Sequence, residues 1–282
     1  MILFYTFEKV YDGYDAYASY PLVVCNIKMK NPYRKSLDIF FETITDFKHT
    51  SNRINKVLLK DVQIYTAEES KYFSGTSLII GDWTVPTDNG WKINFHTGIQ
   101  KSTYKENYAS EIENVLSREF GLAFSQCYEA FESLLKDFIS IKIQNDSNFL
   151  SKLPTNKDYS RENLKGGDDI FKLIKKAGNK RFKQYSKSNN NNFRFTETYK
   201  IFSEIRHSIT HSKGNLKSIK IPKDKYYKIL FEYFLPLNKL ENEIIQLKFD
   251  YKTLDKLLIY LAEFGFQIFK ILSEEDNYEW KI

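Results

Sequence analysis

Hydrophobic residues recur every three or four positions over most of the chain beyond residue 103, and this spacing is typical of amphipathic helices. The longest such segment, residues 104–145, contains no proline and one glycine, Gly121. It predicts one long helix, or two helices joined near Gly121. The same spacing predicts three further helices, over residues 170–185, 196–211 and 253–273. Residues 103–282 are therefore expected to form a helical bundle.

The first 100 residues have a different pattern, in which short apolar and β-branched runs alternate with Gly, Asn, Asp and Pro. Such runs predict strands. The predicted strands cover residues 22–30, 58–66, 76–83 and 91–95. Asp88-Asn89-Gly90 predicts a hairpin turn between the last two strands, whereas residues 36–48 fit a helix or a strand equally well.

Together these patterns predict an α+β protein with two domains. We expect a β-rich amino-terminal domain over residues 1–102, with a regulatory or recognition role, followed by an all-α bundle over residues 103–282. Within residues 226–251, Pro236 and the alternation of apolar and polar residues from Gln246 onward favour a β-hairpin inserted in the bundle over another helix.

Cysteine usage and hydropathy bear on where the protein works. The two cysteines, Cys25 and Cys127, are too few for a disulfide framework. The first residues lack the basic segment of a secretory signal peptide, and no apolar run approaches the roughly 18 residues that a membrane span needs. We therefore expect a cytoplasmic protein with no membrane partner.

The formal net charge of +6 is concentrated in one part of the chain. Residues 151–228 contain 20 Lys and Arg against 7 Asp and Glu, an excess of 13 positive charges, while the flanking segments are neutral or acidic. Such a stretch is typical of proteins that bind the phosphates of nucleic acids, although lysines that only solvate a helix surface give the same count. The residues expected to contact the polyanion are Lys172, Lys175, Lys176, Lys180, Arg181, Lys183 and Lys213.

Three residues suited to phosphodiester chemistry lie at the end of the third predicted helix. His207 and His211 are one turn apart on one face, Arg206 lies beside them, and Ile205 and Ile209 are expected to point into the bundle. A histidine exchanges a proton near neutral pH, and an arginine offers a fixed set of donors to a phosphate that gains charge in the transition state. In RNA the 2′-hydroxyl is the nucleophile, so we expect no metal and no other cofactor.

Arg206-His207-Ser208-Ile209-Thr210-His211 resembles the R-x(4–6)-H motif of HEPN-domain ribonucleases, including the polar residue after the arginine. The layout over residues 105–282 is also similar, with a long first helix, the motif at the end of a later helix and a closing helix. The resemblance implies a HEPN-like bundle and a metal-independent endoribonuclease that acts as a homodimer. Arg206 and His211 would be catalytic, His207 would assist, and Glu129 of the first helix would support the motif.

The resemblance also implies partners and a biological role. RNA, for example tRNA, would be the substrate. Members of this family often act as toxins or antiviral effectors in abortive infection, and a toxin would have an antitoxin or other regulatory partner.

Three alternatives stay open. A non-catalytic HEPN-like module would bind RNA or a partner protein without cleaving anything. Arg206 could pair with an acid of a neighbouring helix, such as Glu113, while His211 could favour the helix end through the helix dipole. A zinc site at the two histidines of the motif would lack further histidine ligands, since His49 and His96 fall in the predicted amino-terminal domain.

Overall fold

The computed structural model describes residues 30–82, 84, 94–221, 223–235, 237–239 and 244–281 of the chain. The helices are α1 (Arg34–Tyr65), α2 (Tyr108–Asn145), α3 (Ser147–Ser151), α4 (Asp168–Ala177), α5 (Asn179–Lys187), α6 (Phe195–Ser212), α7 (Lys225–Phe234) and α8 (Tyr251–Glu275). The strands are β1 (Phe73–Gly81), β2 (Asn94–Tyr104), β3 (Asn215–Lys217), β4 (Leu237–Lys239) and β5 (Ile244–Leu247). The strand predicted over 22–30, apart from Lys30, and the predicted turn Asp88-Asn89-Gly90 lie outside the described residues.

The long helices α2, α6 and α8 share one hydrophobic core. Gly121 does not divide α2, which continues through it without a break. Phe131 of α2 is fully buried and stacks on Phe264 of α8, with the ring centroids 5.5 Å apart. The apolar stripes of the three helices thus face inward, as their spacing requires. The helices predicted over 104–145, 196–211 and 253–273 are confirmed.

A helix of 32 residues, α1, stands where the sequence favours strands. The strand predicted over 58–66 is therefore wrong. Its apolar residues misled the prediction because they do not line a buried strand: Leu59 and Ile64 are 48% and 51% exposed. The first half of α1 is fixed instead by packing, since Phe40 is buried so close to Gly265 of α8 that a Cβ there would lie 2.7 Å from the Phe40 ring.

The described part of the predicted amino-terminal domain is one long helix and one hairpin. Residues 36–48, which fit either element from the sequence alone, belong to α1. Because α1 contributes to the core of the bundle, this part of the chain does not form a β-rich unit. The domain boundary at residue 102 stays a prediction.

The helix predicted over 170–185 is in fact two helices, α4 and α5, which meet at Gly178. A Cβ at Gly178 would lie 2.7 Å from a methyl carbon of Ile271, so the glycine allows α8 to approach closely. The next residue, Asn179, has a φ of 44°, a left-handed conformation that interrupts helices. The prediction of one helix is wrong because the break depends on a contact with a distant segment.

Two small antiparallel sheets accompany the helices. Strands β1 and β2 form a hairpin whose residues are almost all exposed, which confirms the described part of the strand predicted over 76–83. Strands β3, β5 and β4 lie side by side in that order. The hairpin predicted within 226–251 is confirmed as β4 and β5. The same prediction disfavoured a helix and is wrong for the first part of this range, which forms helix α7.

The described residues are mostly helical and carry these two sheets, so the α+β class is confirmed. Among the helices in the described ranges, none combines the length and the apolar character needed to cross a membrane.

Candidate functional site

The sequence motif lies on the last two turns of α6. Ile205 is fully buried and Ile209 packs partly buried against the core, whereas His207 and His211 are exposed. The Arg206 side chain lies between these extremes, with 30% of it exposed. The predicted orientation is confirmed, because the apolar side of α6 faces the bundle and leaves the polar side open.

The carboxyl end of α6 is fixed to the neighbouring sheet. Lys213 and Gly214 both adopt left-handed conformations, with φ of 53° and 79°, and their amides donate to the Ser208 carbonyl. The Gly214 carbonyl then accepts a hydrogen bond of 2.8 Å from the amide of Leu247 in β5. His211 is therefore carried on a helix end that two kinds of backbone contact hold in place.

Arg206 bonds to a carboxylate of the long helix α2. Its guanidinium donates to Glu129 in an ion pair, and the Glu129 side chain is 44% exposed. Nε of Arg206 is buried and has no hydrogen-bond partner within the described part of the chain. The ion pair thus orients the guanidinium and leaves it a further donor. The structure places Glu129 beside the motif, as the resemblance implies, and it equally fits the alternative of a structural ion pair, formed with Glu129 and not with Glu113.

The two histidines lie against each other and beside a lysine. The ring centroids of His207 and His211 are 4.7 Å apart, with the ring planes inclined by 45°. Lys220, in the 3₁₀ turn Ser218–Lys220, lies 4.0 Å from a carboxylate oxygen of Glu204. Partial desolvation of the imidazole lowers the pKa of His207, the positive charges of Lys220 and His211 lower it further, and the carboxylate of Glu204 offsets only part of this. His207 is therefore biased toward the neutral form, which can accept a proton.

We expect His207 to titrate below the ordinary histidine pKa of 6.5 in an NMR titration of the imidazole resonances. Replacing Lys220 by glutamine should raise the pKa of His207, because it removes a positive charge that disfavours the imidazolium. The matched change Lys223→Gln, at an exposed lysine further along the chain, should leave it where it is. An unchanged pKa in Lys220→Gln would contradict this electrostatic coupling.

A partly buried polar network joins α2, α4 and α6 one turn from Glu129. Glu132 accepts hydrogen bonds from the Tyr199 hydroxyl at 3.2 Å and from the Gly167 amide at 2.7 Å. Burial raises the pKa of Tyr199, so its hydroxyl stays protonated and acts as a donor. The network fixes the amino end of α4 close to α2 and α6, the helices that carry Glu129 and Arg206.

The other predicted site residues are spread over the molecule. Lys213 lies at the end of α6 and is exposed, next to the motif. Arg181 is engaged in ion pairs with Glu274 and Glu275 of α8, at 3.2 and 3.1 Å. Lys180 is exposed on α5. The remaining lysines line a cavity at the carboxyl end of α2. They are Lys172, Lys175, Lys176 and Lys183.

Sequence reasoning missed several residues that the structure adds to this picture. Lys220 and Glu204 reach the motif, and Lys152, Lys157 and Lys165 line the same cavity as the predicted lysines. The excess of positive charge over residues 151–228 contained all four of these lysines. No spacing rule singled them out, because loops, and not one helix, bring them together.

Comparison of the chain with models of protein families, with curated proteins and with solved structures finds no match. Across the described ranges, no three His, Cys, Asp or Glu side chains are grouped so that they could hold a metal ion. The chemistry of the site itself is a guanidinium, two adjacent imidazoles and a lysine at one exposed helix end.

Proposed function

We propose that the protein is a metal-independent endoribonuclease of the HEPN type. The observation that carries the proposal is the placement of Arg206, His207 and His211 at one exposed end of α6, with Arg206 oriented by Glu129. A guanidinium and imidazoles held side by side supply both the charge stabilisation and the proton transfer that RNA cleavage needs.

Cleavage would begin with attack of the ribose 2′-oxygen on the adjacent phosphorus. The bond from phosphorus to the 2′-oxygen forms and the bond to the 5′-oxygen breaks, which leaves a cyclic phosphate and a free 5′-hydroxyl. A neutral imidazole takes the proton of the 2′-hydroxyl, and an imidazolium protonates the leaving 5′-oxygen. We assign proton transfer to His211, with His207 orienting the substrate or assisting, and we assign to Arg206 the stabilisation of the phosphate oxygens.

A homodimer would unite two copies of this site. One His211 could then act as the base and the other as the acid, since a single imidazole cannot be both in the same step. The surface beside the motif supports a contact between copies: Leu122 of α2 is 44% exposed, and the adjacent Gly121 lies against Ile209 of α6. We therefore propose that the helical part of the chain forms the dimer.

The biological role follows the same resemblance. We propose a toxin or antiphage effector that acts on tRNA or another RNA in the cytoplasm. Residues 1–102, or a separate antitoxin or regulatory partner, would restrain it.

Incubation with total RNA in the presence of EDTA tests the proposal. The wild type should cleave RNA to products with cyclic phosphate ends, and Arg206→Ala/His211→Ala should not. The matched control is His49→Ala/Arg53→Ala, which removes the same two residue types from exposed positions of α1. Equal behaviour of the wild type and the Arg206→Ala/His211→Ala variant would refute the assignment.

A second candidate is a non-catalytic module that binds RNA or a protein partner. The ion pair between Arg206 and Glu129 favours it, because a carboxylate already occupies part of the guanidinium. RNA binding that weakens with salt, persists in His211→Ala and leads to no cleavage would support this candidate over the nuclease.

A further inference from the structure

A basic cavity of about 1080 Å³ opens between the carboxyl end of α2, helix α4 and the loop that joins α3 to α4. Eight lysines and four acids line it. Cavities of this size hold ligands as large as nucleotides. The balance of paired and unpaired charges decides which kind of ligand the cavity favours.

Each acid of the cavity already has a partner. The pairs are Asp146 with Lys142, Asp169 with Lys172, Glu275 with Arg181, and Asp158 with the Ser160 amide. Six of the lysines, by contrast, form no ion pair or hydrogen bond within the described residues. These are Lys152, Lys157, Lys165, Lys175, Lys176 and Lys183. The eight lysines exceed the four acids by four positive charges, and this excess around one concavity favours a ligand with several phosphates.

The floor of the cavity is apolar and includes an aromatic ring. Phe149, Leu153 and Leu164 are buried beneath it, and Tyr159 is partly exposed at its wall. Single-stranded nucleic acids bind where cationic groups meet the backbone and aromatic or apolar side chains meet the bases. The lining therefore suits nucleotide units better than a bare inorganic anion.

The cavity is separate from the motif on α6. Lys142 lies thirteen residues beyond Glu129 on α2, so it is about 20 Å further along the helix and about 140° around it. The hydrogen bond from the Gly167 amide to Glu132 nevertheless holds the amino end of α4 one turn from Glu129. Further along, α4 forms one wall of the cavity. A phosphate in the cavity cannot be the one that Arg206 contacts.

We propose that this cavity is a second RNA subsite, which binds phosphates of the substrate at a distance from the bond that is cleaved. The inference rests on the proposed ribonuclease function. The lysines then act in capture: they set how tightly RNA binds, and the motif on α6 sets how fast bound RNA is cut.

Fluorescence anisotropy with a labelled single-stranded RNA tests the subsite, in a His211→Ala background that prevents cleavage. Adding Lys175→Gln/Lys176→Gln should weaken binding on the order of tenfold and reduce the slope of log K against log salt by about 1.4, since single strands lose about 0.7 per phosphate contact. The matched control is Lys56→Gln/Lys60→Gln, two exposed and unpaired lysines of α1, and it should change neither quantity.

The outcomes separate the subsite from the proposed function. If both lysine pairs weaken RNA binding equally, the attraction is a general property of the surface and the subsite is overturned. The subsite is also overturned if the wild type cleaves RNA and Lys175→Gln/Lys176→Gln leaves the RNA affinity unchanged. The cavity would instead be a small-anion site if it binds ATP or inorganic triphosphate tightly and Lys175→Gln/Lys176→Gln abolishes that binding while RNA binding stays intact. This result would overturn the RNA subsite. RNA binding that depends on Lys175 and Lys176, without cleavage by the wild type, would support the subsite and refute the nuclease. A wild type that neither binds nor cleaves RNA would refute both.

Discussion

Replacing Arg206 by lysine is expected to slow RNA cleavage about 10²–10³-fold, nearly as much as replacing it by alanine, while RNA affinity changes little. Glu129 holds one side of the guanidinium, so its planar set of donors keeps a fixed orientation at the helix end. An ammonium group is a point charge and cannot serve the carboxylate and a phosphate in the same fixed geometry. The loss should therefore appear in the single-turnover rate of bound RNA.

Thermal unfolding of the same variant separates catalysis from a purely structural ion pair. The pair between Arg206 and Glu129 is partly exposed, so its contribution to the free energy of unfolding is expected to be at most about 1 kcal/mol. The control Arg118→Lys alters another arginine that is paired with a carboxylate on α2, and it should change neither rate nor stability. A near wild-type cleavage rate in Arg206→Lys would show that only the charge at this position matters.

The sequence predicts a helix correctly where the spacing of its apolar residues matches the side that is buried in the structure. Helices α2, α6 and α8 each turn an apolar stripe to the core, so the spacing of their residues reports their structure directly. In the second half of α1 the apolar residues do not face the core, because Val57, Leu59 and Ile64 are exposed. Apolar and β-branched residues that are not buried still read as a strand, and this explains the wrong prediction there.

Some residues of the candidate site could likewise be predicted from the sequence and others could not. Arg206, His207 and His211 lie within six residues of one helix, so helical geometry alone predicts that they share an exposed end. Lys220 reaches His207 only after the chain leaves α6, passes through β3 and turns back. The break at Gly178 depends in the same manner on Ile271 of α8. Contacts between segments distant in the chain carry no local pattern from which they could have been predicted.

A buried lysine at the junction of three helices supports the other prediction of large effect. Lys142 is only 4% exposed and forms ion pairs with Asp146, at 2.8 Å, and with Asp276 at the end of α8. The Tyr33 hydroxyl, which precedes α1, donates to the same Asp276 at 2.5 Å. The replacement Asp276→Ala is expected to lower the free energy of unfolding by about 1–3 kcal/mol, because the buried ammonium keeps only Asp146 as a partner and the buried Tyr33 hydroxyl loses its acceptor.

Chemical denaturation of a double-mutant cycle measures this contribution. Lys142→Met/Asp276→Ala should lose less than the sum of the two single changes, by roughly 0.5–3 kcal/mol, because Lys142→Met removes the buried charge that Asp276→Ala leaves with one carboxylate fewer. The control Asp38→Ala breaks an exposed pair with Arg34 on α1 and should cost less than about 1 kcal/mol. Additive losses in the cycle would show that Lys142 and Asp276 are not coupled.

The same cluster should show itself in the pH dependence of stability. The hydrogen bond from Lys142 lowers the pKa of Asp146, so Asp146 stabilises the fold above the unfolded value near 3.8, and this contribution is lost as the pH falls through the lower folded pKa. Burial opposes the charge on Lys142, but its bonds to Asp146 and Asp276 outweigh burial and raise its pKa above 10.5. Its contribution is therefore complete below pH 10.5 and is lost as the pH rises through the folded pKa. The difference in the free energy of unfolding between the wild type and Lys142→Met should therefore be constant from about pH 5 to 10 and become smaller below and above this range. A difference that stays constant at acid pH would contradict the ion pair with Asp146.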